Sequence, residues 1–166
     1  MQSRDQRELQ VLGVDAVTGS TSCVFEDRDD AWVELVPGAG TLVDDGTLVT
    51  CADRDGTRRL LVGGEVVSPI DVQVRSIVAA RSDAVVVTGN PIEDATVQHV
   101  YRWTAAGFGP LTDANGVHTA AVGGDTHRGS GRRVVDADAR RLADHVVERH
   151  QREPEREAPG HHREQA

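Results

Sequence analysis

The sequence contains no lysine; all 18 of its basic residues are arginine. This points to a GC-rich, bacterial coding sequence, an expectation about the source and not about the fold. Aromatic residues make up only 3% of the chain, and all of them (Phe25, Trp32, Tyr101, Trp103 and Phe108) precede residue 110. Two cysteines, Cys23 and Cys51, are too few to complete a zinc site. They are expected as unpaired, small core residues and not as a disulfide. No apolar run approaches the roughly 20 residues that span a bilayer. The segment Met1–Gln10 is polar and charged and lacks the apolar stretch of an export signal, so a cytoplasmic location is expected. A net charge of −9 speaks against a general nucleic-acid binder, because phosphate recognition needs clustered positive charge. Neither nucleic acid nor a membrane is expected as a partner.

What is present divides into two unlike parts. Residues 127–166 hold nine Arg against eight Asp and Glu, five of the seven His, and no aromatic residue. Residues 1–126 hold the other nine Arg against nineteen acids, and they read as β-structure. Short apolar runs at Leu9–Val14, Thr21–Phe25, Thr41–Val43, Leu48–Cys51, Leu60–Val62 and Val66–Val67 are separated by Asp- and Gly-bearing turns. The runs Ser76–Ala80, Ala84–Thr88, His99–Trp103 and Val117–Val122 continue the pattern. The expected fold is all-β. In the second part, Ala137, Ala139, Leu142, Ala143, Val146 and Val147 form an apolar stripe that predicts a helix over 136–152, stopped by Pro154. The polar remainder to Ala166 is expected to be disordered.

An internal repeat narrows the fold. Leu48-Val49-Thr50 and Val86-Val87-Thr88 lie 38 residues apart, and Leu60-Leu61-Val62 and Val100-Tyr101-Arg102 lie 40 apart. A period near 40 suits the four-stranded blades of a β-propeller.

Specific residues carry a resemblance. Residues 3–122 resemble the later part of the N-terminal propeller of dipeptidyl peptidase IV-like serine peptidases. Ser3–Asp15 is similar to that family's "R-x-Q … L-x-V-L-x-V-D" strand, followed by Thr18-Gly19 at the hairpin. Trp32-Val33 resembles "W-V" at the next strand, Asp45–Leu48 a "D-G-x-x-L/F" entry, and Ala52–Gly56 an "S-E-x-D-G" turn. Arg58–Val62 stands where relatives have "x-H-L-Y-L-Y", without the aromatics. Asn90-Pro91 through Arg102 resembles "P-x-x-x-H-L-Y-R", and Leu111–His118 matches "L-T-x-x-x-G-x-H". The resemblance implies about two to three blades of four-stranded antiparallel sheet over 1–126. In intact relatives that propeller gates peptide substrates, while a separate α/β-hydrolase domain cleaves them. After Val122 this sequence departs from the family pattern, and the abrupt change is expected from a shift of reading frame near Thr126. No G-x-S-x-G occurs in the chain. No enzymatic activity, catalytic residue or cofactor is therefore expected; the alternative is a stand-alone β-domain that binds a protein. A few blades without closure leave open edges, so self-association is expected.

Candidate chemistry in single residues is thin. Ser20, Ser22 and Ser130 lack the sharp turn and neighbouring base of a nucleophile, and read as turn or strand hydroxyls. His99 and His118 fall in expected strands, as structural histidines and not metal ligands. His150, His161, His162 and Glu164 could form a weak metal site, but a biased, solvated end explains them more simply. Asp44, Asp45, Asp53 and Asp55 suggest a calcium loop but lack its spacing, and read as turn residues. No metal is expected.

Overall fold

The computed structural model describes residues 1–123, an all-β chain of ten strands in three antiparallel sheets. The helix expected over 136–152 and the tail lie outside the described residues, as do Ser130, His150, His161, His162 and Glu164.

The first sheet is the hairpin of β1 (Glu8–Val14) and β2 (Thr21–Arg28). Its turn is closed by one carboxylate: Asp15 Oδ1 accepts from the amides of Val17 and Thr18, each at 2.8 Å. Next comes a meander of β3 (Thr41–Leu42), β4 (Leu48–Arg54), β5 (Thr57–Val62) and β6 (Glu65–Val66), in the order β3-β4-β5-β6. A second meander follows, with β7 (Val72–Ala80), β8 (Ala84–Pro91), β9 (His99–Thr104) and β10 (Gly107–Pro110) also in sequential order. Both meanders are hairpins in series because their connections are short and turn-forming. The link from β4 to β5 is Asp55-Gly56, with φ of 56° and 78°, the positive pair that a two-residue hairpin needs to match strand twist.

The repeat in the sequence maps onto this topology. β4 and β8 are each the second strand of their sheet, and β5 and β9 the third. The two meanders share one core. Val49, Cys51 and Leu60 from the first meet Val72, Val74, Ile77, Val85, Val87 and Tyr101 from the second. β8 reads as an unbroken apolar run because both its faces are covered. Val85 and Val87 enter the shared core, whereas Ala84 and Val86 face Val100, Leu111, Ala120 and Val122 on the far side.

The other face of the first meander meets the hairpin. Asp27 on β2 pairs with Arg54 on β4 at 2.9 Å, and a Cβ on Gly40 would lie 3.7 Å from Val11. The connection 29–40 is held to the N-terminal turn, with Val33 N bonded to Gln6 O at 2.6 Å and Gln2 Nε2 to Val33 O at 2.7 Å. It also seals the outer edge of β7: Ile77 N bonds Pro37 O at 2.9 Å. Gly38 sits so close to the Ile77 carbonyl that no side chain fits there.

Three expectations need correction. Val117–Val122 forms no strand; only Val117 makes a bridge, parallel to Gln98, and the rest lies as extended cover over the second meander. Trp32-Val33 starts no strand either. Val33 is buried in the connection, whereas Trp32 is exposed. Conversely, β10 was not expected, because Gly107-Phe108-Gly109-Pro110 has the composition of a turn. Pairing with β9 forms it all the same: Phe108 lies opposite Trp103 and stacks on Tyr101.

Candidate functional site

The expected hydroxyls are placed apart from any base. Ser20 Oγ shares a hydrogen bond with Thr18 Oγ1 at 2.8 Å in the hairpin turn, and Ser22 is exposed on β2. The acidic turn residues act on their own backbones. Asp45 Oδ1 accepts from Thr47 N at 2.9 Å and caps the turn into β4. Asp53 lies 3.5 Å from Arg58 Nε, and Asp55 occupies the positive-φ corner before Gly56. Asp44 is exposed. Among the described residues no three His, Cys, Asp or Glu gather in a metal-holding group.

The structure does bring His99 and His118 together. Their rings stack with centroids 5.6 Å apart and planes 18° from parallel. His118 is fully buried, and its Nε2 is 2.7 Å from the Ala114 carbonyl, so Nε2 carries the proton. Thr112 Oγ1 accepts from Val100 N at 3.0 Å and shares a hydrogen bond with His99 Nδ1 at 3.3 Å. Gln98 completes the clasp, its backbone N–H donating to Gly116 O at 2.9 Å and its side-chain Nε2 donating to His118 O at 2.9 Å. The Leu-Thr-x-x-x-Gly-x-His stretch is thus a strap that ties the chain after β10 to the start of β9. His118 faces backbone, and His99 on β9 faces the Thr112 hydroxyl and the His118 ring.

The cysteines are apart and unpaired, but only one occupies the place expected for both. Cys51 is in the shared core, and burial pushes its thiol up to about 12, with the Arg58 charge opposing and Asp53 assisting. Cys23 is exposed on β2, because the hairpin turns that face to solvent.

Two features had no signal in residue spacing. Arg58 is buried and carries an ion pair to Glu34 at 2.8 Å, which pins the 29–40 connection to β5. In the sequence Arg58 stands only as the first residue of the Arg58–Val62 run, with no sign of this role. Its buried guanidinium is matched by two carboxylates, Glu34 at 2.8 Å and Asp53 at 3.5 Å.

The second feature is a cleft of about 260 Å³ at one end of the second meander, lined by Asp71, Pro91, Glu93, Tyr101, Phe108 and Pro110 among others. Tyr101 contributes its ring to the shared core and its outer end to the cleft. Burial raises its pKa first, and the charges of Asp71 and Glu93 raise it further, so both carboxylates act at the phenol. A wider depression beside the N-terminal hairpin is lined by Ser3, Asp5, Arg7, Glu8, Arg28, Asp29 and Asp30, and its two arginines offset part of the charge of its four carboxylates. Arg28 pairs there with Glu26 at 2.5 Å and Glu8 at 3.3 Å.

Among the described residues no helix is long and apolar enough to cross a membrane. The chain matches no protein-family model and no curated protein.

Proposed function

We propose that residues 1–126 are consecutive blades of a β-propeller of the dipeptidyl peptidase IV type, a substrate-gating scaffold that performs no hydrolysis itself. The observation that carries this reading is the serial order of the two meanders: each is a four-stranded antiparallel sheet, they stack on one core, and equivalent strands fall at the repeat of about 40 residues. The β1–β2 hairpin then supplies the last two strands of a preceding blade, and the segment after β10 leads towards the next. The buried His118 of the strap fits the structural role that the "L-T-x-x-x-G-x-H" resemblance implies for it.

In this reading the described residues lack a nucleophile with a base. The only hydrogen bond of Ser20 to a side chain is to another hydroxyl, and the two described histidines are engaged in the strap. Incubation with a chromogenic dipeptide substrate is expected to release no product above the uncatalysed rate. Turnover that follows the chain through purification and is abolished by a serine-directed inhibitor would overturn the reading. A second reading, a stand-alone module that binds a partner, draws support from the cleft at Tyr101.

A further inference from the structure

The cleft at Tyr101 has the chemistry of a recognition site. Tyr101 is 6% exposed, and its ring is fixed by stacking on Phe108, centroids 5.3 Å apart and planes at 21°. Its hydroxyl makes no hydrogen bond within residues 1–123 and is not sealed in the core: its outer end opens into the cleft, where a ligand can meet it. Two exposed carboxylates, Asp71 before β7 and Glu93 after β8, stand on the same rim and act electrostatically on the phenol. The lining includes no arginine or histidine. Negative charge is therefore gathered at a concave site and left unmatched, while Pro91, Pro110 and Phe108 supply rigid apolar walls.

We infer that this cleft binds the guanidinium group of an arginine side chain. Asp71 and Glu93 would match its charge, the Tyr101 oxygen would accept one N–H, and the flat group with its alkyl stem would lie along Phe108 and the prolines. A guanidinium suits this site better than an ammonium. It presents five donors in one plane to acceptors spread over three residues, and it loses its hydration more readily against aromatic and proline surfaces. The inference stands on the cleft alone and survives if the propeller reading fails. The arginine can come from a partner peptide or from residues 127–166, which hold nine of them.

The test is a titration of the full chain with N-acetyl-arginine amide, followed by the Tyr101 ring signals in NMR. A saturable shift is expected, with a dissociation constant on the order of 1 mM, as suits a small, half-open site. The lysine analogue is expected to bind several-fold more weakly, and the uncharged citrulline analogue not at all. The double variant Asp71→Asn, Glu93→Gln alters only exposed side chains, so near-native circular dichroism is expected together with loss of the shift. A full-length chain with its tail arginines changed to glutamine separates the two sources. If the tail supplies the group, the Tyr101 signals move before any probe is added, and the probe then binds more tightly. No shift in either chain, equal binding of the citrulline analogue, or an unchanged shift in the double variant would each overturn the inference.

Discussion

At the scale of single residues, the structure separates side chains of the same type by what surrounds them. Cys23 is exposed and Cys51 is in the core, with a thiol pKa of about 12. A thiol reagent at pH 8 is therefore expected to modify one cysteine per native chain, at position 23 by peptide mapping, and both after unfolding. Equal labelling of the two in the native protein would contradict the packing of β4. The aspartates of the turns behave as a set. Backbone bonds from Thr18 and Val17 lower the Asp15 carboxyl from its ordinary 3.8, the Thr47 amide lowers Asp45, and the Thr96 side chain and amide lower Asp94. A folded-state pKa below the unfolded one gives stability that is present above about pH 4, the ordinary carboxylate range. It is lost as pH falls through the depressed values. The urea midpoint is expected to hold between pH 5 and 7 and to fall steadily below pH 4. Changing Asp15, Asp45 and Asp94 together to Asn should flatten that acid limb, and an unchanged limb would remove these turns from the account.

At the scale of elements, the sequence exposed those features whose cause is local. Nine of the ten strands fall on the apolar runs, because alternation and Asp-Gly or Gly-Gly turns are short-range signals. Their ends were less legible. β7 begins at Val72, four residues before its apolar run, since Gln73 pairs with Asn90 and the ladder with β8 resumes after an irregularity at Arg75. β10 was hidden because Gly and Pro forbid nothing at a short outer edge, and the contact that forms it, Phe108 on Tyr101, joins two strands. The reverse holds at 117–122. There Ala120 and Val122 are partly buried by covering the β8 face, without a ladder of their own, whereas Val117 and Ala121 are exposed. The candidate site was almost wholly illegible for the same reason. Asp71, Glu93 and Tyr101 are far apart in sequence, on three different segments, and only the register of β7, β8 and β9 brings them to one end of the sheet.

At the scale of the whole molecule, the outer side of β2 has no neighbouring strand among the described residues, and Val24 on that strand is half exposed. A strand edge free of proline and lysine invites another chain to pair with it. The mean mass in sedimentation is expected to rise with concentration, and Val24→Lys is expected to lower that rise. A fixed monomer mass across the same range would show that the edge is closed. Both edges of the second meander are managed within the chain: the connection 29–40 bonds to β7, and β10 is short and ends in proline. The layers also contact one another in sequence order, hairpin to first meander, first meander to second, second meander to strap. A molecule built this way resembles a short stack more than a closed ball, and its stability is the sum of layers and of the interfaces between neighbours. Damage in it should therefore travel inward from the ends: the hairpin and the strap open first, and the Val85–Leu60 interface, sheltered on both sides, is the last to let water in.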